Sequence, residues 1–122
     1  MREVNAATMV VIMLESPEAI ARCDELAAVP GIDALLIGTN DLSAEMGIPG
    51  QLDDPRIVVA YEKLVAACRK HGKHAGMGGV YTDALLQRYI AMGARLVLAG
   101  SDLSFFMTAA KQRAGFLRAI AF

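Results

Sequence analysis

The sequence predicts an α/β fold in which parallel strands alternate with helices. Hydrophobic residues make up 55% of the 122 residues and aromatic residues only 6%. Such a set of aliphatic side chains suits helices packed on buried parallel strands. Short apolar runs alternate four times with segments of helical periodicity, and this order of elements is typical of a parallel sheet. Polar or glycine-rich segments follow three of the four predicted strands.

The first strand–helix unit is predicted from an apolar run at residues 9–14, followed by the segment SPE at residues 16–18. Serine suits the N-cap, proline the first helical position and glutamate the first turn. Apolar side chains then recur at helical spacing until Pro30 and Gly31 end the helix. These side chains belong to Ile20, Cys23, Leu26 and Ala27.

Three further units repeat the pattern. The remaining strands are predicted at residues 33–37, 73–77 and 95–99. Between and after them, helices are predicted to follow Asp54, Thr82 and Gly100, with a short helix at residues 42–46. Glycines at the expected C-terminal positions, Gly72 and Gly93, end two of these helices.

This arrangement favours half of a (β/α)₈ barrel, and a four-stranded doubly wound sheet is the alternative. In α/β barrels the chemistry lies on the loops that follow the strands, which is where the polar segments of this chain occur. A barrel needs eight strands and about 250 residues, so residues 1–122 are expected to form one α/β unit that supplies half of it.

Charge and composition argue against several classes of protein. The formal net charge is −1 and the basic residues are scattered, whereas nucleic-acid or membrane binding needs them clustered. The one dense group, at residues 69–74, fits the C-terminal end of a helix. No signal-like leader is expected, and Cys23 and Cys68 fall on apolar helix faces. Buried thiols in a cytoplasmic protein are the expected result.

Two carboxylates follow neighbouring strands. Glu15 comes directly after the first predicted strand, and Asp41 follows the second. Because consecutive parallel strands are usually neighbours, the two side chains are expected to converge at one edge of the sheet, where they would suit a hard divalent cation. The alternative is that Glu15 only complements a helix dipole and that Asp41 caps the helix at residues 42–46.

Three segments resemble the class II 4-hydroxy-2-oxo-acid aldolases of the HpcH/HpaI type. They are VVIMLES at residues 10–16, IGTNDLS at residues 37–43 and AGSDL at residues 99–103. The resemblance implies strands five to eight of the barrel, with Glu15 and Asp41 as ligands of Mg²⁺, Mn²⁺ or Co²⁺. It further implies cleavage of a 4-hydroxy-2-oxo acid to pyruvate and an aldehyde through a metal-stabilised enolate. Substrate contacts are expected around Gly38, Thr39 and Asn40, chiefly from backbone amides.

The sequence also departs from the family pattern. Met13 stands where the family usually has Gln, and Thr39 where it usually has Pro. The resemblance places the proton-transferring His and the carboxylate-binding Arg in the family's N-terminal half, so catalytic residues are not assigned here. His71 and His74 are expected at the opposite end of the sheet. Asp102 is expected to cap the last helix.

Two other functions stay open on sequence grounds. The chain could be a non-catalytic half-barrel module that needs a partner chain, or an acyl-CoA lyase resembling the citrate lyase β subunit. The expected partners are a small 2-oxo acid and an aldehyde, with no nucleic acid and no membrane. Two unpaired strand edges and an exposed inner face also predict a homo-oligomer. The candidate packing surface is the final helix, with Phe105, Phe106, Phe116 and Phe122.

Overall fold

A computed structural model describes Val4 and residues 7–121. Its four strands form one sheet in the order β1-β2-β3-β4, and each of the three pairs of neighbours is parallel. The strands are β1 (Val11–Leu14), β2 (Ala34–Gly38), β3 (His74–Gly78) and β4 (Leu96–Val97). The predicted parallel α/β architecture is therefore confirmed.

Within residues 7–121, six helices lie between and after these strands. They are α1 (Pro17–Ala21), α2 (Cys23–Ala27), α3 (Thr39–Glu45), α4 (Pro55–Lys70), α5 (Asp83–Met92) and α6 (Asp102–Arg118). Ser16 caps α1 by accepting a hydrogen bond from the backbone N–H of Ala19, and the predicted end of α4 at Gly72 is confirmed by its φ of 65°.

The helix predicted after β1 is interrupted. The backbone N–H of Arg22 is shared between the carbonyls of Glu18 and Ala19, at 3.2 Å from each. This tightened turn separates α1 from α2. A break of one residue leaves the apolar stripe intact, because Ile20, Cys23 and Ala27 are all buried as predicted.

Two further predictions about segment ends need correction, and one is confirmed in part. The short helix α3 begins at Thr39 rather than near Leu42. Thr82 holds the N-cap position of α5 as predicted, although its side chain makes no capping hydrogen bond. Strand β4 has two residues instead of five, although backbone hydrogen bonds from Arg95 to Ala75 and from Leu98 to Met77 extend its pairing with β3 on both sides.

The hydrophobic core lies on one side of the sheet. All five residues of β2 are buried, and Leu35 and Ile37 join the core formed with the helices, chiefly with α4. Leu36 points to the opposite face, where its register neighbour Met13 remains 49% exposed. Leu98 on the same face is 45% exposed. A sheet covered by helices on one side, with apolar side chains on the other, is what half of a barrel provides.

Both cysteines are free thiols in this core, as predicted. Burial raises the pKa of the Cys68 thiol to about 11 and also raises that of Cys23. A thiol with a raised pKa is seldom ionised at neutral pH, so these two side chains serve packing rather than nucleophilic chemistry. In Val4 and residues 7–121, no helix is both long and apolar enough to cross a bilayer.

Candidate active site

Glu15 and Asp41 lie on the wall of one open cavity of about 460 Å³ at the C-terminal edge of the sheet. Glu15 follows β1 directly, and the β1–β2 register, which pairs Leu14 with Ile37, brings it level with Gly38. Asp41 is in the first turn of α3, the helix that begins where β2 ends. The parallel pairing therefore brings together the two carboxylates that the sequence predicted as metal ligands.

Gly38 provides the space for the Glu15 side chain. A Cβ atom on residue 38 would lie 2.6 Å from Oε1 of Glu15 and 2.7 Å from its Cγ. The φ of Gly38 is −81°, which any residue can adopt. The close approach of Glu15, and not the backbone conformation, therefore accounts for the absence of a side chain at this position.

The three residues predicted to contact substrate differ in their solvent exposure and in what they contact. Gly38 lies at the end of β2 beneath Glu15, as described above. Asn40 is exposed, and its carboxamide lies over Gly79, at the end of β3: a Cβ there would be 2.8 Å from Nδ2. The Thr39 side chain is fully buried and points away from solvent. Any contact of Thr39 with substrate would have to use its backbone, and that role stays a prediction.

The helix-capping alternative for Asp41 does not describe the structure, because Asp41 is the third residue of α3 and Gly38 holds the N-cap position. Glu15 directly precedes Ser16, the N-cap of α1, so its position also suits the dipole of that helix. The prediction that Asp102 caps the last helix is wrong: Ser101 is the N-cap and forms a reciprocal capping box with Ser104.

Two residues that line this cavity were not among the predicted site residues. Glu45 lines the same cavity as Asp41, and the sequence signal that could have identified it is the i, i+4 spacing on α3. Met13, two residues before Glu15 on the same face of β1, also lines the cavity and puts a thioether where the family resemblance has Gln. Among Val4 and residues 7–121, no three His, Cys, Asp or Glu side chains come together as a metal-binding group.

The basic residues lie elsewhere. His71 is at the C-terminal end of α4, with its Nε2 atom 3.0 Å from Asp24 Oδ1. Lys70 donates to the same carboxylate, and this bond, followed by that of His71, lowers the pKa of Asp24. Lys73 donates to the Ile32 carbonyl at 2.6 Å. The residues that line the cavity around Glu15 include no Lys, Arg or His.

The sequence of the chain is similar to those of known aldolases. Residues 1–109 match the family described as HpcH/HpaI aldolase/citrate lyase. The chain is 38% identical over 118 residues to a 4-hydroxy-4-methyl-2-oxoglutarate aldolase of Hapsidospora irregularis, covering 95% of this chain and 44% of that protein. It is 32% identical over 111 residues to a 5-keto-4-deoxy-D-glucarate aldolase of Klebsiella pneumoniae, covering 90% of this chain and 43% of the relative.

The fold of the chain also matches that of a solved structure. The HpcH/HpaI aldolase of Desulfitobacterium hafniense superposes with a TM-score of 0.85 at 26% identity, over 98% of this chain and 46% of that one. The chain belongs to the HpcH/HpaI aldolase/citrate lyase family. It spans less than half the length of the curated relatives it matches, and four parallel strands in sequence order correspond to half of their barrel.

Two glycine substitutions test the geometry of this edge. We expect Gly38→Ala to change the free energy of unfolding by less than about 1 kcal/mol, because the flexible Glu15 side chain can rotate away. Gly79 has a φ of 80°, so Gly79→Ala is expected to cost about 1–2 kcal/mol. Urea denaturation of both variants measures these losses, and a loss for Gly38→Ala as large as that for Gly79→Ala would contradict the expectation that the Glu15 side chain can move aside.

Proposed function

We propose that the chain is the metal-binding part of a divalent-metal-dependent aldolase that cleaves a 4-hydroxy-2-oxo acid to pyruvate and an aldehyde. The observation that carries the proposal is the meeting of Glu15 and Asp41 in one cavity, at the edge of the sheet where barrel enzymes have their active sites. Family membership and the aldolase names of the curated relatives support the same reaction class.

The donor set fits a hard cation. Glu15 and Asp41 offer exposed carboxylate oxygens, which Mg²⁺ and Mn²⁺ prefer, and Glu45 adds a third carboxylate to the same cavity. The cavity lining includes no imidazole or thiolate that would favour a softer metal. Glu15 and Asp41 would hold the ion, leaving other positions to water and the 2-oxo acid. When bound, Mg²⁺, Mn²⁺ or Co²⁺ supplies Lewis-acid polarisation of a substrate oxygen.

The chain's own residues would bind and orient the substrate. Asn40, exposed beside Gly79, carries a carboxamide that can donate a hydrogen bond to a substrate oxygen. Met13 makes part of the cavity wall apolar. The Gln that the family usually has at this position could form a hydrogen bond there, which Met cannot. Since no Lys lines the cavity, a Schiff-base route has no nucleophile on this part of the wall.

The assembly is proposed to be a homo-oligomer. Helix α6 has no buried residue along its 17 residues. Phe105, Phe106 and Phe116 on this helix are 60%, 70% and 60% exposed; Phe122, also predicted for this surface, lies outside the described residues. Exposed aromatic side chains on one long helix are typical of a surface that another protein segment covers.

The metal site is tested by titrating the chain with Mn²⁺ in a calorimeter. We expect binding by the parent chain and a loss of at least about 10-fold in affinity for both Glu15→Ala and Asp41→Ala, since each removes a charged ligand. Glu18→Ala, which removes an exposed acidic residue outside this cavity, is the matched control and should bind as the parent does. Parental affinity in both ligand variants would show that the assignment is wrong.

Activity provides a second test. We expect the 122-residue chain alone to release little pyruvate from a 4-hydroxy-2-oxo acid with Mg²⁺, Mn²⁺ or Co²⁺. Its cavity lining has no His, Arg or Lys, and positioned acid–base catalysis is worth roughly 10²–10⁴-fold. Adding the N-terminal half of a related aldolase should raise the rate. Turnover by the chain alone at about 1 s⁻¹, within the ordinary enzyme range, would contradict this expectation.

Self-association is measured by light scattering at micromolar concentration. We expect a species larger than a monomer, because α6 and the inner face of the sheet expose apolar side chains. Replacing Phe105 and Phe106 with Ser should shift the population towards monomer. A parent chain that is monomeric across the concentration range would exclude the oligomer.

A further inference from the structure

The fully buried hydroxyl of Thr39 connects the start of α3 to the end of β3 at the candidate site. It donates a hydrogen bond to the Gly78 carbonyl at 2.7 Å, and its oxygen lies 2.8 Å from the hydroxyl of Tyr61. Because the single hydroxyl proton of Thr39 is used for Gly78, Tyr61 is the donor to Thr39. Two hydrogen bonds in series therefore run from α4, through the first residue of α3, to the end of β3.

The donor at the start of this series is held rigidly. The Tyr61 ring is fully buried and stacks on Tyr89 with 3.9 Å between ring centroids. Burial raises the pKa of the Tyr61 hydroxyl above its usual value, so this group remains a proton donor at any ordinary pH. Stacked aromatic packing restricts the ring and thereby fixes the position of its oxygen.

Thr39, in the middle of the series, and Gly78, at its end, each lie close in the chain to residues at the candidate-site edge of the sheet. Thr39 is followed by Asn40 and Asp41, and Gly78 is followed by Gly79. The Asn40 carboxamide lies against Gly79, whose φ of 80° turns the chain at the end of β3. A shift of Thr39 would therefore move the first turn of α3, together with Asp41.

We propose that Thr39 and Tyr61 are positioning residues that hold the first turn of α3, and with it the Asp41 carboxylate, in the geometry that binds the cation. This inference rests on the proposed function. The family resemblance places Pro at position 39, where the pyrrolidine ring would restrict the first helical residue through its fixed φ. In this chain two buried hydrogen bonds restrict the first helical residue, Thr39, instead.

The test is Mn²⁺ affinity, measured by calorimetry on the 122-residue chain. Tyr61→Phe is expected to weaken binding about 5-fold, the value of the one ordinary hydrogen bond that it removes, and Thr39→Val, which removes both, is expected to weaken binding at least as much. Thr39→Ser keeps the hydroxyl and should bind as the parent does. Should Thr39→Val not fold, Tyr61→Phe still decides, because it keeps the stacked ring and removes a single bond.

Tyr89→Phe is the matched control. Tyr89 is also fully buried in the stack, but its hydroxyl donates to the Leu52 carbonyl at 2.6 Å, not to Thr39. It should lower the free energy of unfolding about as much as Tyr61→Phe while leaving Mn²⁺ affinity at the parental value. If Tyr61 had a purely structural role, Tyr61→Phe and Tyr89→Phe would change the Mn²⁺ affinity to the same extent.

The results of these titrations distinguish failure of the inference from failure of the proposed metal site. Weakened binding in Tyr61→Phe, with parental binding in Tyr89→Phe and Thr39→Ser, supports the inference. Parental binding in both Tyr61→Phe and Thr39→Val, or equal weakening in Tyr61→Phe and Tyr89→Phe, overturns the inference and leaves the proposed function standing. A parent chain that binds no Mn²⁺ overturns the proposed metal site and this inference with it.

Discussion

The parallel pairing of β1 with β2 is the constraint on which the candidate site depends. Its register brings Glu15 level with Gly38 at the point where both strands end. The missing side chain at Gly38 leaves the volume that the Glu15 carboxylate and its methylene groups occupy. Because α3 begins at the next residue, Asp41 reaches the same cavity within one helical turn. A slip of one residue in this register would turn every side chain of β1 to the other face of the sheet.

The one-sided core shows how this unit fits a larger barrel. Helix α4 covers β2 on the outer face through side chains such as Tyr61 and Leu64. The inner face is left to Met13, Leu36 and Leu98, of which only Leu36 is buried. Sequential parallel strands with helices on one side are the arrangement of half a barrel, and a doubly wound sheet would need helices on both faces. The similarity to a barrel-family aldolase over 46% of its length agrees with this description.

The sequence predicted the strands, most helix ends and the pairing of Glu15 with Asp41, because apolar periodicity and the order of elements determine them. It did not predict the break at Arg22, where one backbone N–H is shared between two carbonyls, or that β4 would have only two residues. The hydrogen bonds from Tyr61 to Thr39 and from Thr39 to Gly78 join residues 22 and 39 positions apart. No local pattern signals them, because packing of three separate elements brings these groups together.

The most direct test of the account is a crystal structure of the chain grown with Mn²⁺, with the ion located by its anomalous scattering. We expect one strong anomalous peak, with oxygens of both Glu15 and Asp41 within about 2–2.6 Å of it, as is usual for hard cations and carboxylates. A peak bound by other residues, or none at this edge of the sheet while both carboxylates are well ordered, would contradict the assignment of these residues as the metal ligands.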